Sequence, residues 1–522
     1  MKHIELFAGC GGLALGLEKS GFELLFANEL SPMASETFAF NLLQEDLQSI
    51  LLDTAKPSKT LWISSRYGNL SDRLKKENPM DSPSLGDGYS DLPKKIQDVE
   101  GKLLVGNLTH LNAWISEKKS RLMSLQNGFG SGEIELVSGG PPCQSFSLAG
   151  LRKKDCEKNT LPWDFANFVS LAKPKFAVLE NVSGILRAFK SDGESYYAWF
   201  EVAKAFAMKG YVPLCLHVNA RLVGVPQNRP RFIMISIRHD VYLQLKPKLS
   251  KLERNLFIKS EEFYEILNSD CTAEIDDLSY FDAARDLDKH LFKDTFLNHF
   301  YGKSEVSVKE AIDDLRIHSS KPKSKYVKTL NSKFKASNKR LSELKNHQPR
   351  NNGPHVQRRF RIYQVIEECS PESRRDVLRL LSERVNTIKE ETWTELKLHK
   401  FLKLSNEFDF FKNKASLVMF LKRHITKKQT QRALREDLPA SAALSIPDDV
   451  CHYSPDELRT LTVREMARIQ SFPDDFEFRS KITTGGSLRK FEVPQYTQVG
   501  NAVPPLLGHA IGKVVIELLN KI

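Results

Sequence analysis

Cys143 is the residue whose setting most suggests covalent chemistry. It lies in Ser138-Gly139-Gly140-Pro141-Pro142-Cys143-Gln144-Ser145-Phe146-Ser147, directly after the apolar run 134–137. Proline has no amide donor and fixes its own backbone angle, so neither sheet nor helix continues through Pro141-Pro142. The thiol is therefore presented rigidly at the carboxyl end of a strand, the edge at which open α/β sheets bind ligands. A buried structural cysteine is the competing reading, but such thiols sit inside apolar periodic segments, not at the tip of a double-proline turn. The other cysteines, at 10, 156, 215, 271, 369 and 451, are scattered and form no Cys-x-x-Cys pair. That pattern argues against a disulfide framework and against a zinc site, and no metal is expected.

Three further motifs carry chemistry. Glu180 follows the apolar run 176–179 and precedes Asn181-Val182. Beside a thiol, such a carboxyl serves as a general acid or hydrogen-bond donor, whereas alone a Glu-Asn pair reads as a helix cap. In Gln227-Asn228-Arg229-Pro230-Arg231 two arginines stand two apart before a strand, pointing the same way. They suit a phosphate or the carbonyl oxygen of a base, and an ordinary surface salt-bridge pair is the plainer alternative. Near the start, Phe7-Ala8-Gly9-Cys10-Gly11-Gly12 is a glycine turn, and Glu29 lies 20 residues after Gly9 at the end of the next apolar run. An acid so placed accepts hydrogen bonds from ribose hydroxyls in a Rossmann-type unit. The turn departs from G-x-G-x-x-G, which points to a nucleoside ligand without a pyrophosphate; a tight turn with an exposed acid is the bland reading.

The elements that would position these residues are legible from periodicity. Strand, glycine turn and helix up to Gly21, a second strand over 22–27, and Ser31-Pro32 as N-cap and first helical residue make a β-α-β unit of parallel sheet. Apolar runs at 102–105, 134–137, 176–179, 211–217 and 232–237 extend it into a doubly wound α/β domain over residues 1–240. Residues 53–101 are polar, rich in Pro and Gly, and read as a surface insertion. From 239 to about 459 the sequence turns charged and helical without β-α-β spacing, so a second domain is expected there. The last apolar helix, after Gly500-Asn501-Ala502-Val503-Pro504-Pro505, must pack on the α/β domain.

Charge is localised. The chain carries 77 basic against 65 acidic residues, a net +12. Between 321 and 361 thirteen Lys and Arg stand against the single acid Glu343, so this stretch alone accounts for that excess. A local surface that tracks phosphates is expected, a solvated basic linker being the alternative. With no charged-then-apolar leader and no bilayer-length apolar stretch, the sequence points to a cytoplasmic protein with no membrane partner.

Together the motifs are specific. Phe-x-Gly-x-Gly-Gly, Pro-Pro-Cys-Gln, Glu-Asn-Val, Gln-x-Arg-x-Arg, the segment from Leu461 through Arg464-Glu465 to Phe472-Pro473, and Gly500-Asn501-Ala502-Val503-Pro504 occur in an order that resembles the DNA cytosine-carbon-5 methyltransferase family of bacterial restriction-modification type. The resemblance covers the first 240 residues and roughly the last 60, leaving the middle unmatched. It implies an α/β, Rossmann-like S-adenosylmethionine-dependent methyltransferase domain over 1–240, a smaller variable target-recognition domain over 241–490, and a segment, 491–522, returning to the catalytic domain. It further implies a sequence-specific enzyme that moves a methyl group from S-adenosyl-L-methionine to carbon 5 of a flipped-out cytosine in double-stranded DNA.

By the same resemblance, the Cys143 thiolate adds to carbon 6, Glu180 holds or protonates ring nitrogen 3, and Arg231 with Arg229 steadies the base oxygen and its phosphate. The cofactor pocket takes Phe7, Gly9 and Gly11, with Glu29 on the ribose, Asn107 and Leu108 on the adenine edge, and Pro142 and Leu161 as walls; Asn501 and Val503 close it. Asn107 departs from the aspartate common at its position, but its amide oxygen still accepts from an adenine amino group. A monomer is expected, protecting host DNA alongside a cognate endonuclease acting on the same site. The alternatives are a transfer-RNA cytosine-5 methyltransferase, disfavoured by the long basic middle, and a catalytically silent DNA-binding relative, disfavoured by intact Cys143 and Glu180. A nicotinamide-dependent oxidoreductase gives Cys143 no role.

Overall fold

The computed structural model describes residues 1–53, 55–142, 161–191, 194–269, 271–335, 343–427, 431–442 and 450–522. Cys143, Cys156, Lys339 and Arg340 lie outside the described residues. The chain divides into two compact units, residues 1–304 with 476–522, and residues 305–475.

The first unit is built on a nine-stranded sheet. Its strands are β1 (Lys2–Leu6), β2 (Glu23–Glu29), β3 (Thr60–Trp62), β4 (Lys102–Val105), β5 (Leu136–Gly139), β6 (Phe176–Val182), β7 (Tyr211–Asn219), β8 (Pro230–Arg238) and β9 (Tyr280–Asp282). They lie in the order β9-β7-β8-β6-β5-β1-β2-β4-β3. Every pairing is parallel except those of β8, which runs antiparallel to both β6 and β7. Chain length explains the exception. Only residues 220–229 join β7 to β8, too few for a helical crossover but enough for a reversal.

Helix α1 (Gly12–Ser20) starts and stops where the sequence predicts. Gly11 before it has φ 93°, and Gly21 after it has φ 119° with its N–H bonded to the Leu17 and Glu18 carbonyls, an αL end that favours glycine. Ser31 caps the next helix with Pro32 in its first turn, as its sequence suggests. Helices α2 (Leu108–Ser116) and α3 (Leu161–Ala172) cover one face of the sheet, burying Leu111, Phe165, Phe168 and Val169 against Leu25, Phe26 and Val137.

Two stretches join the sheet against expectation. Residues 53–101 are not a surface excursion, because β3 forms the sheet's edge and Trp62, Ile63, Ile96 and Val99 are buried. Arg73 lies over the Trp62 ring at 5.0 Å and pairs with Asp91, which lets a polar sequence enclose an aromatic one. Likewise, the change in composition at 239 is no structural boundary. Residues 239–304 supply β9 and helices that cover the sheet, so the compact second unit runs 305–475, where composition suggests 239 to about 459 and the family resemblance 241–490. Composition reported solvent exposure on those covering helices and not the path of the chain.

The far face is closed by helix α8 (Pro505–Leu519), preceded by α7 (Gln495–Asn501). Val514, Val515 and Leu518 of α8 share a core with Leu13 and Leu17 of α1. The helices approach through small residues. A Cβ on Gly16 would stand 2.5 Å from the Pro505 carbonyl oxygen and the His509 nitrogen, and one on Gly512 would overlap the Ser20 hydroxyl.

The second unit contains α4 (Lys325–Lys333), α5 (Pro354–Glu368) and α6 (Val463–Ile469) and is organised by buried ions. Arg468 of α6, fully buried, bonds Asp474 through two nitrogens at 2.7 and 3.0 Å and Asp314 at 2.6 Å. Arg459 forks onto Glu465 at 2.7 and 2.8 Å, and Arg464 donates to the Lys345 and Pro473 carbonyls. The sequence segment around Arg464-Glu465 is thus internal scaffolding. Several cations of the basic stretch are also engaged internally: Lys321 pairs with Asp313, Lys323 with Asp474 and Lys345 with Glu343.

Two outcomes test this packing. Gly16→Val should destabilise the first unit by about 1–3 kcal/mol in denaturant titration, the usual range for overpacking, since the opposing atoms are backbone. Burial opposes ionisation of Asp474, but Arg468, Lys323 and Asn331 together outweigh it and hold the carboxyl well below the usual carboxylate range. Its contribution is therefore complete above about pH 4, the unfolded value, and is lost as pH falls below it. Unfolding free energy measured against pH should fall less steeply on the acid side in Asp474→Asn than in the parent.

Candidate active site

Parallel strands carry their carboxyl ends to one edge, and the sheet's order reverses there between β1 and β5. Register aligns Leu6 with Asn28 and Gly139, Glu29 with Val105, and Gly139 with Leu179. The turns after β1, β5 and β6 are therefore neighbours. Because β8 runs the other way, its first residues reach the same edge, with Arg231 opposite Val182.

Glu180 and Arg231 meet there. Arg231 Nε lies 2.8 Å from Glu180 Oε1, both side chains about 10% exposed. Glu180 Oε2 comes within 3.2 Å of where a Cβ on Gly140 would stand, so glycine at that position leaves room for the carboxylate. The adjacent Asn181 donates from Nδ2 to the Pro141 carbonyl at 3.1 Å and fixes the exit of β5 that leads to Cys143. Burial pushes the Arg231 guanidinium below its ordinary range, and Glu180 acts against that shift.

Arg229 does not share this partner. Buried to 2% exposure, it donates from Nη2 to the Gly500 carbonyl at 2.8 Å and the Ala502 carbonyl at 3.1 Å, and from Nη1 to Gln227 Oε1. The sequence placed both arginines on one ligand. Here Arg229 clamps the turn between α7 and α8, with Nη2 taken by the Gly500 and Ala502 carbonyls and Nη1 by the Gln227 side chain. The same turn is held on its other side by Gln498, whose carbonyl accepts from the Cys10 thiol at 3.7 Å and whose side chain bonds Thr37 and Met33. Asn501, exposed, and half-buried Val503 are thereby brought beside the glycine turn of β1.

Around that turn the expected pocket residues assemble. Phe7 and Gly9 have φ 54° and 56°, and the space where a Gly9 Cβ would stand holds no atom within 4 Å. Gly11 is instead packed, its Cβ position lying 2.5 Å from Leu42. Glu29 accepts from the Gly9 and Ser31 N–H groups, each at 2.8 Å, one on each oxygen. A carboxylate has about four acceptor sites, so each oxygen keeps one for a hydroxyl. Burial raises the Glu29 carboxyl, and these backbone donors oppose the shift. Asn107 caps α2, its Oδ1 accepting from Thr109 at 2.8 Å, and Leu108 is buried beneath it. Asn28 Nδ2 bonds the Leu104 and Gly106 carbonyls, which sets that cap beside Glu29. Leu161 begins α3, one turn before Phe165, whose ring meets Phe7 edge-on at 6.3 Å. Pro142 is exposed.

Sequence reasoning missed the partners that arise only in three dimensions: Gln498, Thr37, and a hydrogen-bonded chain on the edge strands. In that chain His217 of β7 bonds Asp282 of β9 through Nδ1 at 2.9 Å and Ser183, just after β6, through Nε2 at 3.1 Å. Nothing in their spacing signals it.

Among the described cysteines, Cys10, Cys215 and Cys451 are buried and pushed far above the ordinary thiol range by that burial. Cys369 is pushed up to about 12 by burial and by Glu395 and Glu368. None of these four is poised as a thiolate nucleophile.

A family model described as C-5 cytosine-specific DNA methylase matches residues 1–61 and 115–517. A type II methyltransferase of Bacillus paralicheniformis is 27% identical, aligned over 99% of this chain and 99% of its own length. The type II methyltransferase M.DdeI of Desulfomicrobium norvegicum is 25% identical over 98% of this chain and 88% of its own. Among solved structures, the Entamoeba histolytica methyltransferase EhMeth aligns over 99% of this chain and 98% of its own with a TM-score of 0.43 and 10% identity.

Burial makes a direct forecast for the thiols. Alkylation of the native protein at mildly alkaline pH, read by peptide mass, should modify the exposed Cys271 and spare Cys10, Cys215 and Cys451.

Proposed function

The chain belongs to the C-5 cytosine-specific DNA methylase family and is a DNA (cytosine-5-)-methyltransferase, and on that premise we propose that it is the protective half of a restriction-modification pair, acting through a covalent adduct of Cys143 with a flipped-out cytosine. The observation that carries this reading is the Glu180–Arg231 pair, set over Gly140 at the exit of the strand that leads to Cys143.

Carbon 5 of cytosine is a poor nucleophile. A bond from Cys143 Sγ to carbon 6 makes carbon 5 enamine-like, while Glu180, held by Arg231, supplies a hydrogen bond or proton to ring nitrogen 3 and offsets the charge that develops on the ring. Arg231 reaches the base oxygen from the same edge. Arg229 is a positioning residue, holding the turn that carries Asn501 and Val503. Carbon 5 gains the methyl group, a base removes its proton, and the electron pair of that bond expels the thiolate from carbon 6. The duplex must first release the base, at a cost of a few kcal/mol.

S-adenosyl-L-methionine supplies an electrophilic methyl group. The open space at Gly9, the free acceptor sites of Glu29 and the Asn107 cap fit its nucleoside: Glu29 would take ribose hydroxyls, Asn107 and Leu108 the adenine edge, and Phe7, Pro142 and Leu161 its faces. Gly11 permits the turn's approach to Leu42 and Phe38. Cytoplasmic location and a monomeric state complete the proposal.

Expression in a methylation-free host followed by bisulfite sequencing should show 5-methylcytosine at one recurring sequence, and DNA from that host should resist an endonuclease of the same specificity. Cys143→Ser should leave no mark and form no stable complex with a 5-fluorocytosine duplex that traps the parent protein. Glu180→Gln should lower turnover by about 10²–10⁴-fold, the usual contribution of general acid catalysis. Methylation by Cys143→Ser at the parent rate would overturn the covalent route.

A further inference from the structure

In the second unit, a short hairpin joins Phe401–Leu402 to Phe408–Asp409, with Phe401 paired to Asp409 and Leu402 to Phe408. Its tip projects, with residues 404–410 all exposed, and Phe408 and Phe410 are 42% and 43% exposed. Phe408, in the second strand, and Phe410, just past its end, are two large aromatic rings left in water close together. Such an apolar patch marks a surface that a partner covers.

The hairpin is also held rigidly, unlike most loop tips. Arg358 of α5 donates from Nε to the Lys403 carbonyl at 3.0 Å, and from Nη2 to Leu404 at 3.3 Å and Asn406 Oδ1 at 2.6 Å. Arg361, one turn on, donates to the Lys400 carbonyl at 2.8 Å, with its guanidinium 5.9 Å from the centre of the Phe408 ring. Below the tip, Phe411 packs against Phe401 and Phe420 in the unit's core. The backbone that leads to the exposed rings is therefore braced before any partner arrives, which lowers the entropy lost on binding.

Charge identifies the partner. Between 397 and 423 seven Lys and Arg (397, 400, 403, 412, 414, 422 and 423) stand against two acids, Glu407 and Asp409. Lys400 lies 5.5 Å from the Phe410 ring and is exposed. An aromatic pair flanked by cations on a rigid projection suits a polyanion that also offers flat apolar faces, as nucleic-acid bases do.

We propose that this hairpin is a base-contacting element of the enzyme: Phe408 and Phe410 touch the bases of the double-stranded DNA substrate, and Lys400 with its neighbours binds the flanking phosphates. The proposal rests on the methyltransferase reading above. The charges of the 321–361 stretch that hold the hairpin, Arg358 and Arg361, thus act on DNA through it.

Full-length protein carrying Phe408→Ala with Phe410→Ala, and a second variant, Lys400→Glu, test it. Both sites are exposed, and thermal melting together with S-adenosylmethionine binding checks that the fold is retained. The aromatic double variant should lower affinity for a duplex carrying the mapped target about tenfold or more, as loss of base-stacking aromatics does, with a smaller loss on an unrelated duplex. Lys400→Glu should weaken both duplexes alike and flatten the salt dependence of binding. Parent-like affinity and parent-like methylation sites in both variants would overturn the proposal, as would an equal loss on both duplexes in the aromatic variant, which would make the rings a non-specific contact. If the parent itself marks no cytosine, the methyltransferase reading fails instead, so the two failures are distinguishable.

Discussion

One buried ion pair organises the carboxyl edge of the sheet: Glu180 with Arg231. At 2.8 Å and an effective dielectric near 20, the gross attraction is about 6 kcal/mol, of the same order as the several kcal/mol each ion loses on leaving water. The pair is therefore no great source of stability. Its effect is geometric, because either charge left alone in that position is costly, so the two side chains hold one another at the mouth of β5.

That meeting depends on the single reversal in the sheet. In a wholly parallel sheet, residues that begin a strand lie at the opposite edge from residues that end one. Glu180 ends β6 and Arg231 begins β8, and only the antiparallel course of β8 brings both to the same side. The connection over 220–229 thus decides which side chains meet at this edge as well as the topology. Arg229, two residues earlier, uses the same position to reach the Gly500 and Ala502 carbonyls, so one short segment fixes both Glu180 and the turn between α7 and α8.

Much of this was legible in the residues. Strand runs, the αL glycines bounding α1 and the Ser31-Pro32 cap follow from local chemistry, and the assembly of Phe7, Glu29, Asn107 and Glu180 at one edge follows from parallel topology. What stayed hidden were long-range partners. Arg229 and Arg231 look equivalent in sequence because their spacing is that of a strand face, yet a proline between them marks where the strand starts, and the partners of Arg229 lie far along the chain. The 53–101 stretch concealed β3 because its polar residues cover a single buried tryptophan. The basic stretch overstated its free charge, since Asp313, Glu343 and Asp474 already pair with part of it.

The glycine seam between α1 and α8 has a consequence for how the enzyme is made. The helices that meet there stand at residues 12–20 and 505–519, so the first unit closes only when segments this distant in the chain have come together. Such distant pairings are slow to form. The contact between α1 and α8 thus belongs to the late steps of folding, after the shorter-range pairings of the sheet.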